Sequence, residues 1–231
     1  MPTVRNVLAR LRFSARLLTH PEQQRHFIPW LRSQQPDYLL RVGLPWLCFD
    51  AIVALDQLDL REWRVFEYGS GGSTLYWLRR GASVVSVEHD AAWYARVRTL
   101  APPGAPLDYR LKLPEPAPPG PADPSDPTAY RSGDPACAGY SFARYAAEID
   151  VFPQEYFDLV LVDGRARPSC ILHALPRVHR GGLLILDNSD RAYYTARIGP
   201  LLAGWRATVY AGVAPGAPVL TQTTFYVRAE G

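Results

Sequence analysis

Ten residues of this chain put a carboxylate, a run of glycines and several hydroxyls side by side: Val65-Phe66-Glu67-Tyr68-Gly69-Ser70-Gly71-Gly72-Ser73-Thr74. They read as a short buried strand that ends at Glu67 and Tyr68. A glycine turn through Gly69, Ser70, Gly71 and Ser73 follows and opens a helical pattern at Leu75-Tyr76-Trp77-Leu78. Glycines let backbone turn tightly and approach a ligand closely, so strand, turn and helix together make a nucleotide-cofactor loop. Two features narrow the cofactor. An acid at the strand tip would repel a pyrophosphate placed on the positive end of the helix, and Thr74 stands where a G-x-G-x-x-G fingerprint has its third glycine. Both favour a cofactor with a positive centre and no phosphate, and S-adenosylmethionine, with a sulfonium and a free amino group, meets that description. A nicotinamide dinucleotide is the alternative, and a cofactor-binding domain without catalysis is a second.

Other residues able to do chemistry lie at the ends of later apolar runs. Val84-Val85-Ser86-Val87-Glu88-His89-Asp90 places an acid 21 residues after Glu67. Leu161-Val162-Asp163-Gly164-Arg165-Ala166-Arg167 offers an acid beside two arginines, which could hold a substrate carboxylate or phosphate bidentately or pair with Asp190 or another local acid. Asp187-Asn188-Ser189-Asp190 ends another strand, and Ser189 or Asp190 can cap the next helix. His89 reads as a pocket residue, His173 and His179 as structural, and Trp46 and Trp77 as packing.

The elements that must position these groups alternate. Strands are expected at 64–68, 83–88, 107–113, 157–164 and 183–187, and helices at 73–80, 91–99 and 168–178. Such alternation calls for an α/β, Rossmann-like, doubly wound sheet covered on both faces. A helix near 191–203 precedes two β-rich runs, 207–213 and 221–227, joined by Ala214-Pro215-Gly216-Ala217-Pro218, a hairpin and so an antiparallel edge. Residues 1–60 carry helical periodicity and form an N-terminal helical cap ahead of a domain at 61–231. A proline-rich insert at about 114–140 interrupts that domain as a loop expected to close over the acceptor, and ends in a helix from about 141 to 149. The 231 residues, 48% apolar with a net charge of +3, suit one globular core and show no concentrated basic face for nucleic acid. Cys48, Cys137 and Cys170 are too few and too scattered for a disulfide framework or a zinc site. Arginines break every apolar run in the first twenty residues, so no integral membrane segment is expected and a cytoplasmic protein is. The basic amphipathic leader could lie on a membrane surface, but packing on the domain or on a second subunit is the plainer expectation, and the second would make a homodimer.

Together these segments resemble class I S-adenosylmethionine-dependent methyltransferases over roughly residues 60–227. Glu67 to Gly72 is similar to that family's first motif and Val84 to Asp90 to its second. The resemblance implies seven strands, the last antiparallel, and an acid at Glu88 that accepts hydrogen bonds from both ribose hydroxyls. Gly139-Tyr140-Ser141-Phe142, Leu161 to Gly164 and Gly181 to Asn188 resemble, more narrowly, the catechol-type and caffeoyl-CoA-type O-methyltransferases. That likeness places Tyr140 and Ser141 at the adenine and gives Asp163, Asp187 and Asn188 to a divalent cation such as Mg²⁺. Asp163, which also borders the cofactor, and Arg165 beside it are the candidate catalytic residues for methylation of a small-molecule acceptor; the acceptor hydroxyl is acidified by the metal alone, or Asp163 is the base without metal, or an unrelated residue serves. One departure stands out: the lysine base of the catechol-type enzymes corresponds to Ala166.

Overall fold

The computed structural model describes residues 4–120 and 123–230, all but Met1–Thr3, Pro121, Ala122 and Gly231. Four helices open the chain: α1 (Val4–Thr19), α2 (Phe27–Arg32), α3 (Tyr38–Val42) and α4 (Phe49–Asp56). Among the described side chains of α1, Phe13 and Leu17 are buried, spaced i to i+4 on one face, and they pack with Trp30, Ile52 and Leu55 on the sheet. The leader therefore belongs to the domain core rather than standing apart from it. Alternation follows, with β1 (Arg64–Tyr68), α5 (Gly72–Arg79), β2 (Ser83–Glu88), α6 (Ala91–Leu100) and β3 (Leu107–Leu111).

The insert is more structured than a bare loop. It carries β4 (Glu115–Pro116), which pairs antiparallel with β5 (Tyr140–Ser141) and so closes the segment on itself. The helix expected at 141–149 shortens to α7 (Ala143–Ala146) and a 3₁₀ turn over Ala147–Val151. After β6 (Phe157–Val162) and α8 (Arg167–Ala174), strand β7 runs from Val178 to Asp187. It is longer than its apolar run because it continues through Gly181-Gly182, with a register shift opposite Phe157 and Leu159 and Gly181 at φ +77°. The helix expected at 191–203 is only α9 (Ala192–Thr195) plus a 3₁₀ turn at Gly199–Leu202, since Gly199-Pro200 cannot continue it. Strands β8 (Arg206–Val213) and β9 (Leu220–Val227) form the antiparallel edge.

The seven-stranded sheet has the order β3-β2-β1-β6-β7-β9-β8, parallel except at β9, which is antiparallel to both of its neighbours. Its central strands are apolar on both faces because each face has its own core. Leu159, Leu161, Leu183 and Ile185 turn toward the N-terminal helices, while Val160, Val162, Leu184 and Leu186 turn toward α7 and α8. Strand order reverses between β1 and β6. That reversal opens a crevice beyond the strand tips, the place where open α/β sheets bind ligands.

Candidate active site

At the reversal, Gly69 and Gly164 touch backbone to backbone. A Cβ on Gly69, whose φ is +91°, would come within 2.9 Å of the Gly164 Cα, so glycine is required where the β1 and β6 tips meet. Beyond them opens a cavity of about 960 Å³. The β1 and β2 tips and the start of α6 line it with Gly69, Ser70, Gly71, Gly72, Ser73, Glu88, His89, Asp90 and Trp93, and the β6 and β7 tips with Asp163, Gly164, Arg165, Arg167, Asp187 and Asn188. Its roof joins two distant segments. Gly216 N–H donates to Ser33 Oγ (2.8 Å) and Trp30 Nε1 to the Ala217 carbonyl (2.8 Å), tying the β8–β9 loop to the N-terminal helices.

Glu67 and Tyr68, expected at the cofactor, are not on the cavity wall. Glu67 is fully buried below the glycine turn, where it accepts hydrogen bonds from Thr74 Oγ1 (2.5 Å), Ser86 Oγ (2.7 Å) and Trp77 Nε1 (3.2 Å). Burial pushes its carboxyl above the ordinary range even though these donors and Ser73 pull the other way. Thr74 also accepts from Gly71 N–H (3.0 Å), which explains the hydroxyl in place of a third glycine: it staples turn to strand. Tyr68 points to the opposite face and donates to the Ala146 carbonyl (2.6 Å). Tyr140 and Ser141 sit in the insert ribbon opposite Pro116 and Glu115, away from the cavity, because the insert folds back on itself. The described insert residues supply no wall of the cavity, which Ser33, Leu39, Trp46 and Leu220 also line. Trp46 is 56% exposed, a rim residue rather than a packing one, whereas Trp77 is buried.

Glu88 does face the cavity. Its two oxygens accept from Ser70 N–H (3.1 Å), Ser70 Oγ (2.8 Å), His89 N–H (2.7 Å) and Asp90 N–H (2.9 Å). Burial pushes this carboxyl up, but hydrogen bonding and charge from His89, with the donors of Asp90 and Ser70, outweigh it and leave it below the usual carboxylate range. Trp93 is a wall residue that sequence reading missed. Its indole N–H donates to the Ser70 carbonyl (2.8 Å), and the one signal for its orientation was Asp90, which caps α6 through the Trp93 N–H.

The Asp163 and Asp187 carboxyls both lie against the Arg167 guanidinium, which donates from Nη2 to Asp163 Oδ1 (2.9 Å) and has Nη1 3.8 Å from Asp187 Oδ2. Burial and the charge of Asp187 push Asp163 well above the ordinary range against the pull of Arg167; burial likewise raises Asp187. Both acids line the cavity, and Asp163 is the more open of the two, its side chain 19% exposed against 5% for Asp187. Asp187 accepts from Thr223 Oγ1 (2.8 Å), a partner that comes from strand register and left no mark in sequence. Asn188 donates to Thr221 Oγ1 (3.1 Å). Arg165 and Arg167, alike in sequence, part company. Arg165 is half exposed and pairs with Asp134 of the insert (2.8 Å), while Arg167 is buried on Asp163. Neither pairs with Asp190, which accepts instead from Thr221 Oγ1 and the Gln222 N–H, so neither Asp190 nor Ser189 caps α9. His173 binds Asp150 (2.6 Å) and His179 lies 3.1 Å from Asp158, both structural contacts.

No protein-family model matches the sequence, and no curated protein does. Solved structures do. The O-methyltransferase TomG from Streptomyces achromogenes, involved in tomaymycin synthesis and solved with S-adenosylmethionine, superposes with a TM-score of 0.54 at 15% identity over 88% of this chain and 94% of its own. An O-methyltransferase from Bacillus cereus in complex with S-adenosylhomocysteine gives 0.51 at 17% identity over 99% and 92%. The fold of this chain is the Rossmann-like fold of class I S-adenosylmethionine-dependent methyltransferases. No described helix is long and apolar enough to cross a membrane.

Proposed function

We propose that the protein is an S-adenosylmethionine-dependent methyltransferase acting on an oxygen of a small or medium polar acceptor. The observation that carries this reading is one cavity lined both by the glycine turn with Glu88 and by Asp163. Its volume lies at the upper end of the small-molecule range, enough for a nucleoside cofactor and a second molecule. The chain's residues suit the cofactor. Glu88 is an ionised two-oxygen acceptor whose Ser70 hydroxyl partner can give way to a ribose hydroxyl, and a Cβ at Gly71 would meet only Trp93 at 3.8 Å, so the turn faces open space. When bound, S-adenosylmethionine supplies a methyl group already activated by its sulfonium.

The protein's share is then to position, to keep water out and to take a proton. Holding two reactants in line contributes on the order of 7–11 kcal/mol. Asp163, raised toward the working pH and open to the cavity, is the general base, since arginine stays protonated. Arg165, 3.4 Å from His89 through Nε and bound to Asp134, joins the insert to the cavity lining. The test is calorimetric titration with S-adenosylhomocysteine and with NADH, followed by a mass-spectrometric screen for methyl addition to polar metabolites. Binding of NADH alone would replace this reading with a nicotinamide oxidoreductase, and tight cofactor binding without turnover on any acceptor would make the chain a binding module.

A further inference from the structure

Asp163, Asp187 and Asn188 are the residues that a divalent cation would need, yet each already has a protein partner. Arg167 is 6% exposed and donates from Nη2 to Asp163 Oδ1 (2.9 Å), from Nε to the Gly164 carbonyl (3.1 Å) and from Nη1 to the Asp187 carbonyl. Nη1 is also 3.8 Å from Asp187 Oδ2. Its position is held from below by the Tyr194 ring, 5.1 Å from the guanidinium carbon, and from behind by Ala166, whose φ of +47° turns the chain sharply into α8. A non-glycine residue keeps that conformation at a cost only where its surroundings impose it. Here the strained turn delivers Arg167 to the two acids.

A cation bound to both carboxylates at Mg²⁺ distances would lie against a guanidinium that cannot lose its proton, in a place where water screens little. The donor set does not fit a divalent ion while Arg167 is in place. We propose that Arg167 takes the place of a divalent cation between Asp163 and Asp187, and that a metal site lies latent beneath it, unmasked when the guanidinium is removed. Arg167 is thus a positioning residue: it offsets one of the pair's two negative charges and ties the β6 and β7 tips together. The inference rests on the methyltransferase reading only for placing this centre beside the acceptor.

The test uses Mn²⁺ as probe on the full chain, with bound ion counted by electron paramagnetic resonance and S-adenosylhomocysteine binding measured separately. Wild type should hold no stoichiometric Mn²⁺. Arg167→Ala should gain one site, tighter than any wild-type binding by on the order of a hundredfold, and the double variant Arg167→Ala with Asp163→Asn should lose it. Stoichiometric Mn²⁺ in wild type that disappears in Asp163→Asn would overturn the proposal, and that arm stands even where Arg167→Ala does not fold. A folded Arg167→Ala variant that gains no Mn²⁺ would overturn it as well. Failure of S-adenosylhomocysteine to bind wild type would instead remove the methyltransferase reading and leave the Mn²⁺ results as they are.

Discussion

Glu88→Gln is the sharpest perturbation of the cofactor end. The residue is 2% exposed, and its carboxylate satisfies four donors: the Ser70 N–H and hydroxyl on one oxygen and the N–H groups of His89 and Asp90 on the other. An amide has one accepting oxygen. If that oxygen serves His89 and Asp90, the new NH₂ group faces the Ser70 N–H, donor against donor. Hydrogen bonds to a charged group contribute about 1.5–3 kcal/mol each, so the variant should lose roughly 2–4 kcal/mol of stability. With one ribose hydroxyl also losing its acceptor, S-adenosylhomocysteine should bind about 30- to 150-fold more weakly. The sign of the pH effect follows from the depressed carboxyl. Its stabilisation is complete above the unfolded glutamate value and is lost as pH falls through the lower folded value, so the gap between wild type and variant should narrow in acid. Calorimetry gives the affinity and urea denaturation at several pH values the stability. A folded variant with an unchanged dissociation constant would refute the ribose role.

Glu67→Gln should behave in the opposite sense with pH. Its folded carboxyl is raised, so its contribution is complete below the unfolded value and lost as pH rises through the folded one; the permanently neutral variant should compare better with wild type at neutral pH than in acid, and a deficit that grew with pH in urea melts would contradict this. Asp163→Asn should lower kcat by about 10²- to 10⁴-fold while leaving S-adenosylhomocysteine affinity nearly intact, because the residue lies at the acceptor end; loss of affinity would move it to the cofactor. In wild type, activity should fall with decreasing pH while still above the ordinary carboxylate range, as expected of a raised base, and a rate that held down to that range would argue against Asp163. Arg165→Met breaks a half-exposed ion pair, so global stability should change by no more than about 1 kcal/mol, while amide exchange in residues 123–139 accelerates; unchanged exchange would show that Asp134 does not anchor the insert through Arg165.

Much of this molecule is legible in its pattern. The period of apolar runs locates β1, β2 and β6 within a residue or two, since a strand buried on both faces must be continuously apolar, whereas β7 begins at Val178, ahead of the run at 183–187. Gly69 and Glu88 are legible for a similar reason, each being demanded by a local geometry, a left-handed turn or a strand tip. The weak places are also physical. Proline content marks the insert as irregular but says nothing of the β4–β5 pairing that withdraws Tyr140 and Ser141 from the cavity.

The clearest contrast lies in residues of one type. Arg165 and Arg167 are indistinguishable as letters, and Glu67 and Glu88 both fall in the last two positions of neighbouring strands. Period, turn chemistry and spacing suffice to derive the sheet, the glycine turn and the set of polar residues beyond the strand tips, because these depend on neighbours along the chain. Which arginine is buried between two acids, which glutamate meets the cavity, and which segments roof it depend on the positive φ at Ala166, the pairing of Asp187 with Thr223 and the docking of the β8–β9 loop on Ser33. Those contacts join residues far apart in sequence, and their free energy exists only once the layers have closed.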